Sequence, residues 1–310
     1  MDFLSILGLG QTALELGLIT GLTVLALFLS YSMLNICDLS TDGCFTLGAA
    51  VGATVAAAGY PYLSIFAAMG AGIVSGLITA FFQTKMGIDS LLSGIIVNTG
   101  LYSINIAIMG SSQVNLNKAD TVFTKMNSLL AETAFSGQSK LVVILIAVVL
   151  VVLFLSVFLK TKLGLAIRAT GNNPAMVKSS SINPVFTIII GLCISNAFTG
   201  LSGCLMAQYN KSANIDIGSG IVTIALASLL IGRAFMGKGK LVFRIIGAVI
   251  GSFVFRLVYT IALRFNMPAS MLKLVSSVIV IIAIAGPYFK KQIPNIRRKF
   301  ASNKRGGEAK

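Results

Sequence analysis

Residues 141–184 read LVVILIAVVLVVLFLSVFLKTKLGLAIRATGNNPAMVKSSSINP. Over 141–159 no side chain is charged, and the run has the ~20-residue length that a helix needs to cross a bilayer. It then stops against a segment holding Lys160, Lys162, Arg168 and Lys178 and no acid. An apolar helix that ends on basic residues is the pattern of a transmembrane span meeting an anionic headgroup layer. The whole chain shares this bias. Of its 310 residues 56% are hydrophobic and 11% charged, against roughly 25% charged in a soluble domain, and mean hydropathy is +0.92. Polar residues this sparse cannot cover so large an apolar surface in water, whereas lipid removes the demand. The reading is an all-α, polytopic helical membrane protein.

Further apolar runs lie at 14–36, 63–82, 91–109, 185–207, 241–263 and 271–285, with a small-residue helix before Pro61 and a shorter run at 221–231. They make about nine segments, within a range of 8–10. Residues 1–289 form the transmembrane domain, with 160–183 as a cytoplasmic loop inside it and 290–310 as a basic cytoplasmic tail. With loop and tail inside, Lys85 and the group Arg233, Lys238, Lys240 and Arg244 also fall inside, and the N-terminus falls outside. That sorting satisfies the positive-inside rule. The net charge of +15 therefore serves topology and lipid contact rather than nucleic acid. Cys37, Cys44, Cys193 and Cys204 lack metal-ligand spacing and read as buried packers. The chain has no His, which removes His-ligated metal, Ser-His-Asp catalysis and a His proton relay. No catalytic residue and no metal site is expected. The first run has no basic segment before it, so a cleaved signal peptide is not expected.

Two segments echo each other. NICDLSTDGCFTLGAAVGA (35–53) and SANIDIGSGIVTIALASLLIG (212–232) each place an Asp close behind an Ile, then Gly, then a small-residue helix. On the topology above they run in opposite directions, as inverted repeats with broken helices do, and such breaks point to a midplane solute path. The candidate pathway residues are Asp38, Asp42, Asn98, Asn196 and Asp216. A carboxylate at membrane depth costs roughly 2.5–3.5 kcal/mol on insertion scales. A second reading stands beside this for Asp38 and Asp42: both cap the helix that follows them. Asn98, Asn105 and Asn196 either face the path or bond between helices, at about 0.6 kcal/mol each. Gly72 and Gly76 mark close helix packing or a dimer seam. GRAFMGKGK (232–240) approaches a phosphate-binding loop, but Gly239 stands where a Ser or Thr must hold magnesium. It reads as a basic turn, so any ATP energy comes from another subunit.

The segment GLAIRATGNNPAM (164–176) begins amphipathic, turns near Gly171 and lacks the aromatic stripe of a membrane-surface helix. Physically it is a docking element for another protein. It resembles the cytoplasmic coupling loop of ABC importer permeases of the branched-chain amino acid and ribose type. Gly164, Arg168, Ala169, Gly171, Asn173 and Pro174 match that pattern, while Met176 and Val177 stand where the family often has Ala. DLSTDGCFTLGAAVGA resembles the family's first-half motif, and ASLLIGRAFMGKG its second-half motif with Arg233 in place of a second Gly. The resemblance covers 35–240. It implies that the six matching residues couple the chain to cytoplasmic ABC ATPase subunits, which use the ATP; this chain binds no cofactor. It also implies a second permease copy, an extracytoplasmic solute-binding protein and a bacterial inner (plasma) membrane location. The implied cargo is a small solute, an amino acid or related compound. A sugar or nucleoside permease of the same family and an ion-coupled secondary transporter are the alternatives.

Overall fold

The computed structural model describes residues 3–129, 138–236 and 239–264, with positions 274, 277–282 and 285 beyond them. The expected span at 271–285 is thus described only in part, and the tail at 290–310 lies outside the described residues. Helix α1 (Phe3–Leu27) continues into a π-helical turn (Phe28–Met33). Then follow α2 (Thr41–Ala57), α3 (Pro61–Thr84), α4 (Ser90–Met109), a short strand β1 (Gln113–Asn115) and α5 (Val122–Leu129). The second half holds α6 (Ser139–Phe158), α7 (Lys162–Asn172), α8 (Pro174–Ser179), α9 (Pro184–Asn210), β2 (Ser212–Asn214), α10 (Ile221–Met236) and α11 (Leu241–Arg264).

Six helices are long and apolar enough to cross a membrane: Gly10–Met33, α3, α4, α6, α9 and Leu241–Ala262. Helices α2 and α10, with 17 and 16 residues, are about 25 Å long at 1.5 Å per residue, short of a ~30 Å hydrocarbon core. They are the two echoed segments. Eight of the expected nine segments are therefore present among the described residues. Local chemistry sets their ends. Asp89 accepts from Leu91 N–H to start α4, and Gly110 ends it at φ 67. Asn183 accepts from Val185 N–H, with Pro184 in the first helical position of α9, where a missing N–H costs nothing.

The bundle has two distinct ends. β1 and β2 pair antiparallel, Gln113 opposite Asn214, at one end. At the other, α7 packs on the π-helical turn and on the start of α9. The GRAFMGKGK segment is no phosphate loop in its described part, because residues 232–236 continue α10. Arg244 lies close enough to Arg233 and to Arg168 to feel the charge of each at the α7 end.

Helices in lipid gain little from burying apolar surface against each other, so they need close backbone approach. Glycine supplies it here. A Cβ on Gly48 would sit 2.5 Å from Gly200 Cα, one on Gly52 2.6 Å from Cys204 Sγ, and one on Gly76 2.6 Å from the Leu192 carbonyl. Gly72 presses on the Asn196 carbonyl. Thus α2, α3 and α9 interlock, and Gly72 and Gly76 serve packing within the chain. Outward, Phe66, Leu150 and Val157 are more than 60% exposed, as lipid-facing side chains are. Cys44 and Cys204 are buried, Cys37 and Cys193 half-buried, and all four are free thiols.

Gly48→Ala should lower stability in detergent by about 1–3 kcal/mol, the usual cost of overpacking. Gly70→Ala, which meets open space, should leave the thermal midpoint unchanged or slightly raised.

Candidate functional site

Asn196 lies near the middle of the 27-residue α9, and the chain entering α2 crosses it at that depth. The Asn196 amide donates to Asp38 Oδ2 at 2.9 Å, while Asp38 Oδ1 accepts from the Ser40 amide (2.9 Å) and hydroxyl (2.6 Å). The Thr79 hydroxyl donates to Ser40 Oγ at 3.2 Å. Asp38 and Asn196 are 1% and 0% exposed, so this is an enclosed polar knot. Asn196 is here an interhelical bonding group, and its Oδ1 is left without a protein partner.

Asp42 has a different task. Its Oδ2 accepts from Gly220 N–H (3.0 Å) and its Oδ1 from Val222 N–H (2.8 Å). Asp42 sits in the first turn of α2, yet it caps the start of α10. This corrects the reading that both acids cap the helix following them: Ser40 takes the cap position of α2, without a side-chain capping bond. Gly218 makes the approach possible, since a Cβ there would strike the Asp42 carbonyl and Thr46 Oγ1. The two broken helices therefore meet start to start. From that point α2 runs to the strand end, in step with α9 (Gly48 at Gly200, Gly52 at Cys204), and α10 runs to the α7 end. The sequence echo is an inverted pair in space, and one carboxylate lies between two helix N-termini whose dipoles favour it.

Beside this junction is a cavity of about 440 Å³, lined by Asp42, Thr46, Asn98, Tyr102, Asn105 and Asp216 among others. Asp216 is exposed in the loop entering α10. Three of the five candidate pathway residues, Asp42, Asn98 and Asp216, are thus brought together, whereas Asp38 and Asn196 lie in the knot. Asn105 donates to the Gly43 carbonyl at 3.2 Å. The sequence reading missed Thr99, Tyr102 and Ser103, which share the lining. The signal was available: Asn98, Tyr102 and Asn105 fall on one face of α4 at helical spacing.

At the α7 end the six motif residues divide by role. Gly164 allows α7 to start tightly against Leu159, whose Cα would lie 2.5 Å from a Cβ there. Gly171 rests on the Met33–Leu34 backbone. Asn173 accepts from Met176 N–H at 3.1 Å and Pro174 opens α8. These four shape the element. Ile167 and Thr170 are buried, while Leu163, Leu165 and Met176 are exposed, with Arg168 and Ala169 half-buried between. The outward face mixes these apolar side chains with the exposed Lys162 and Lys178 and the half-buried Arg168.

Residues 11–284 match the family described as branched-chain amino acid transport system, permease component. A tyrosine transport system permease protein of Clostridioides difficile is 32% identical over 270 residues, 86% of this chain and 88% of that protein. A guanosine ABC transporter permease of Bacillus subtilis is 29% identical over 56% of this chain and 57% of its own. A galactofuranose transporter permease of Escherichia coli is 23% identical over 79% and 69%. No solved structure gives a significant match. With its membrane-spanning bundle, its inverted pair of broken helices and a family match over nearly its full length, this chain belongs to the ABC importer permease family of branched-chain amino acid transport type.

Proposed function

We propose that the chain is the solute-translocating subunit of an ATP-driven importer of an amino acid or a close relative. The observation that carries this is the start-to-start meeting of α2 and α10 at Asp42, beside a polar cavity within an otherwise apolar bundle. Broken helices that face a cavity are how membrane proteins place polar backbone at depth. The amino acid is favoured over nucleoside or sugar because the tyrosine permease relative has higher identity and wider coverage than the guanosine and galactofuranose relatives.

The α7 end is cytoplasmic on the positive-inside rule, since Lys85, Arg168, Arg233 and Arg244 gather there. The N-terminus is then outside. ATPase subunits dock on the face formed by Leu163, Leu165, Arg168 and Met176, and they hydrolyse the ATP. A solute-binding protein delivers cargo at the strand end. A second copy covers the exposed face of α4, where Leu92, Ile95 and Tyr102 are each at least half exposed, and closes the cavity into a path.

In proteoliposomes carrying the chain with its ATPase and binding protein, ATP should drive uptake of labelled amino acid, tyrosine first, and not of guanosine or galactofuranose. Uptake by this chain alone on a sodium or proton gradient would instead make it a secondary transporter. Arg168→Glu should abolish co-purification with the ATPase while leaving membrane insertion intact; undiminished ATPase binding would remove the docking role. Asp42→Ala strands two N–H groups at about 1–3 kcal/mol, so it should cut uptake and lower the thermal midpoint, with Asp42→Asn between it and the parent.

A further inference from the structure

The stretch joining α1 to α2 is the irregular path through the bundle, and consecutive residues of α9 hold both its ends. At its start the helix changes from α to π spacing: Leu34 N–H donates to the Leu29 carbonyl, five residues back, at 3.1 Å, and Ile36 N–H then closes the helix end on the Ser30 carbonyl, six residues back, at 3.0 Å. Such a turn survives in lipid where a neighbouring helix takes up the disturbed backbone groups. Here the Ser195 hydroxyl donates to the Ala26 carbonyl at 2.8 Å, a carbonyl that also receives the Ser30 hydroxyl at 3.4 Å. At the far end the Asn196 amide holds Asp38. Between these clamps Asn35 adopts φ 57, a left-handed conformation that Asn tolerates better than most residues.

The same turn is the seat of α7. A Cβ on Gly171 would lie 2.8 Å from Leu34 Cα and press on the Met33 carbonyl, so the last turn of α7 bears on backbone rather than on a yielding side chain. Leu34 fills the space at Gly191 of α9. The Thr170 and Thr187 hydroxyls, 2.8 Å apart, keep α7 beside α9.

We propose that this π turn is the movable link between α7 and the paired helix starts. Movement of α7 acts through Gly171 on Met33 and Leu34 and shifts the turn between π and α spacing. Conversion to α spacing advances everything beyond it by about 1.5 Å and 100°, which displaces Asp38 from Asn196 and moves the start of α2, and with it Asp42. Ser195 is a positioning residue that favours the π state. This link rests on the reading of α7 as the ATPase-docking surface.

Two measurements test it, and the first needs no ATPase. In the full-length permease with Cys44, Cys193 and Cys204 changed to Ala, a nitroxide on Cys37 should change its spectrum when Gly171→Val or Ser195→Ala is added. An unchanged spectrum in both overturns the link, whatever α7 docks; if Gly171→Val does not fold, Ser195→Ala decides alone. The second uses the assembled transporter. Ser195→Ala should retain ATPase binding and ATP hydrolysis while solute moved per ATP falls at least about fivefold, the lower end of ordinary coupling energies. Ser195→Thr, which keeps the hydroxyl, should restore the ratio. A parental ratio in Ser195→Ala overturns the link. Failure of the parent itself to bind the ATPase removes the docking reading instead, and the nitroxide result still decides the link.

Discussion

A carboxylate shared between two helix starts organises this chain. Inside a bilayer the first N–H groups of a helix have no water to turn to, and each one left bare is costly. Asp42 meets the need of α10 from the first turn of α2, where its charge also suits the positive end of its own helix. One side chain thereby fixes the relative position of two broken helices that run in opposite directions. The surrounding architecture accommodates that junction. Gly218 and Gly43 clear room for it, α4 closes over it with a polar face, and Asn196 on α9 anchors the chain just before it.

Function and fold are linked through depth. The apolar spans hold the junction near the middle of α9, while basic residues collect at the α7 end, some half of that helix's ~40 Å length away. On the proposed function, energy from a cytoplasmic ATPase acts at one level and a solute moves at another. What joins them is the packed path of α7, α9 and the end of α1, with Gly171 on Met33–Leu34 and Ser195 on Ala26. The family to which the chain belongs supplies the reason for such an arrangement; the glycines, serines and asparagines supply the means.

Much of the fold was legible because lipid-facing helices announce themselves by length and apolarity alone. Helix α6 is the clearest, with mean hydropathy 3.6 over its window. The inverted pair was legible as an echo because both breaks need the same small and capping residues. The partner of Asp42 was not, since Val222 stands 180 residues away and capping preferences describe only the local helix. Capping was the right physics applied to the wrong helix. The π turn was invisible for a similar reason: FLSYSM would pass for any apolar helix turn, and the hydroxyl that meets the helix just before it, at the Ala26 carbonyl, comes from α9. Tyr102 was overlooked because the asparagines of α4 were weighed singly rather than as a stripe.

The seams between helices are of two kinds. Within the group α2, α3 and α9, and between α10 and α11, glycine lets one backbone lodge in another, as at Gly48 with Gly200 and Gly232 with Gly247. Between α1 and α9 the ties are hydroxyls: Ser202 to the Ile19 carbonyl at 2.6 Å and Ser195 to Ala26. A lodged backbone releases only if the whole contact opens at once, whereas a hydroxyl can trade one carbonyl for the next along a helix. The serine seam is therefore the more readily re-registered of the two.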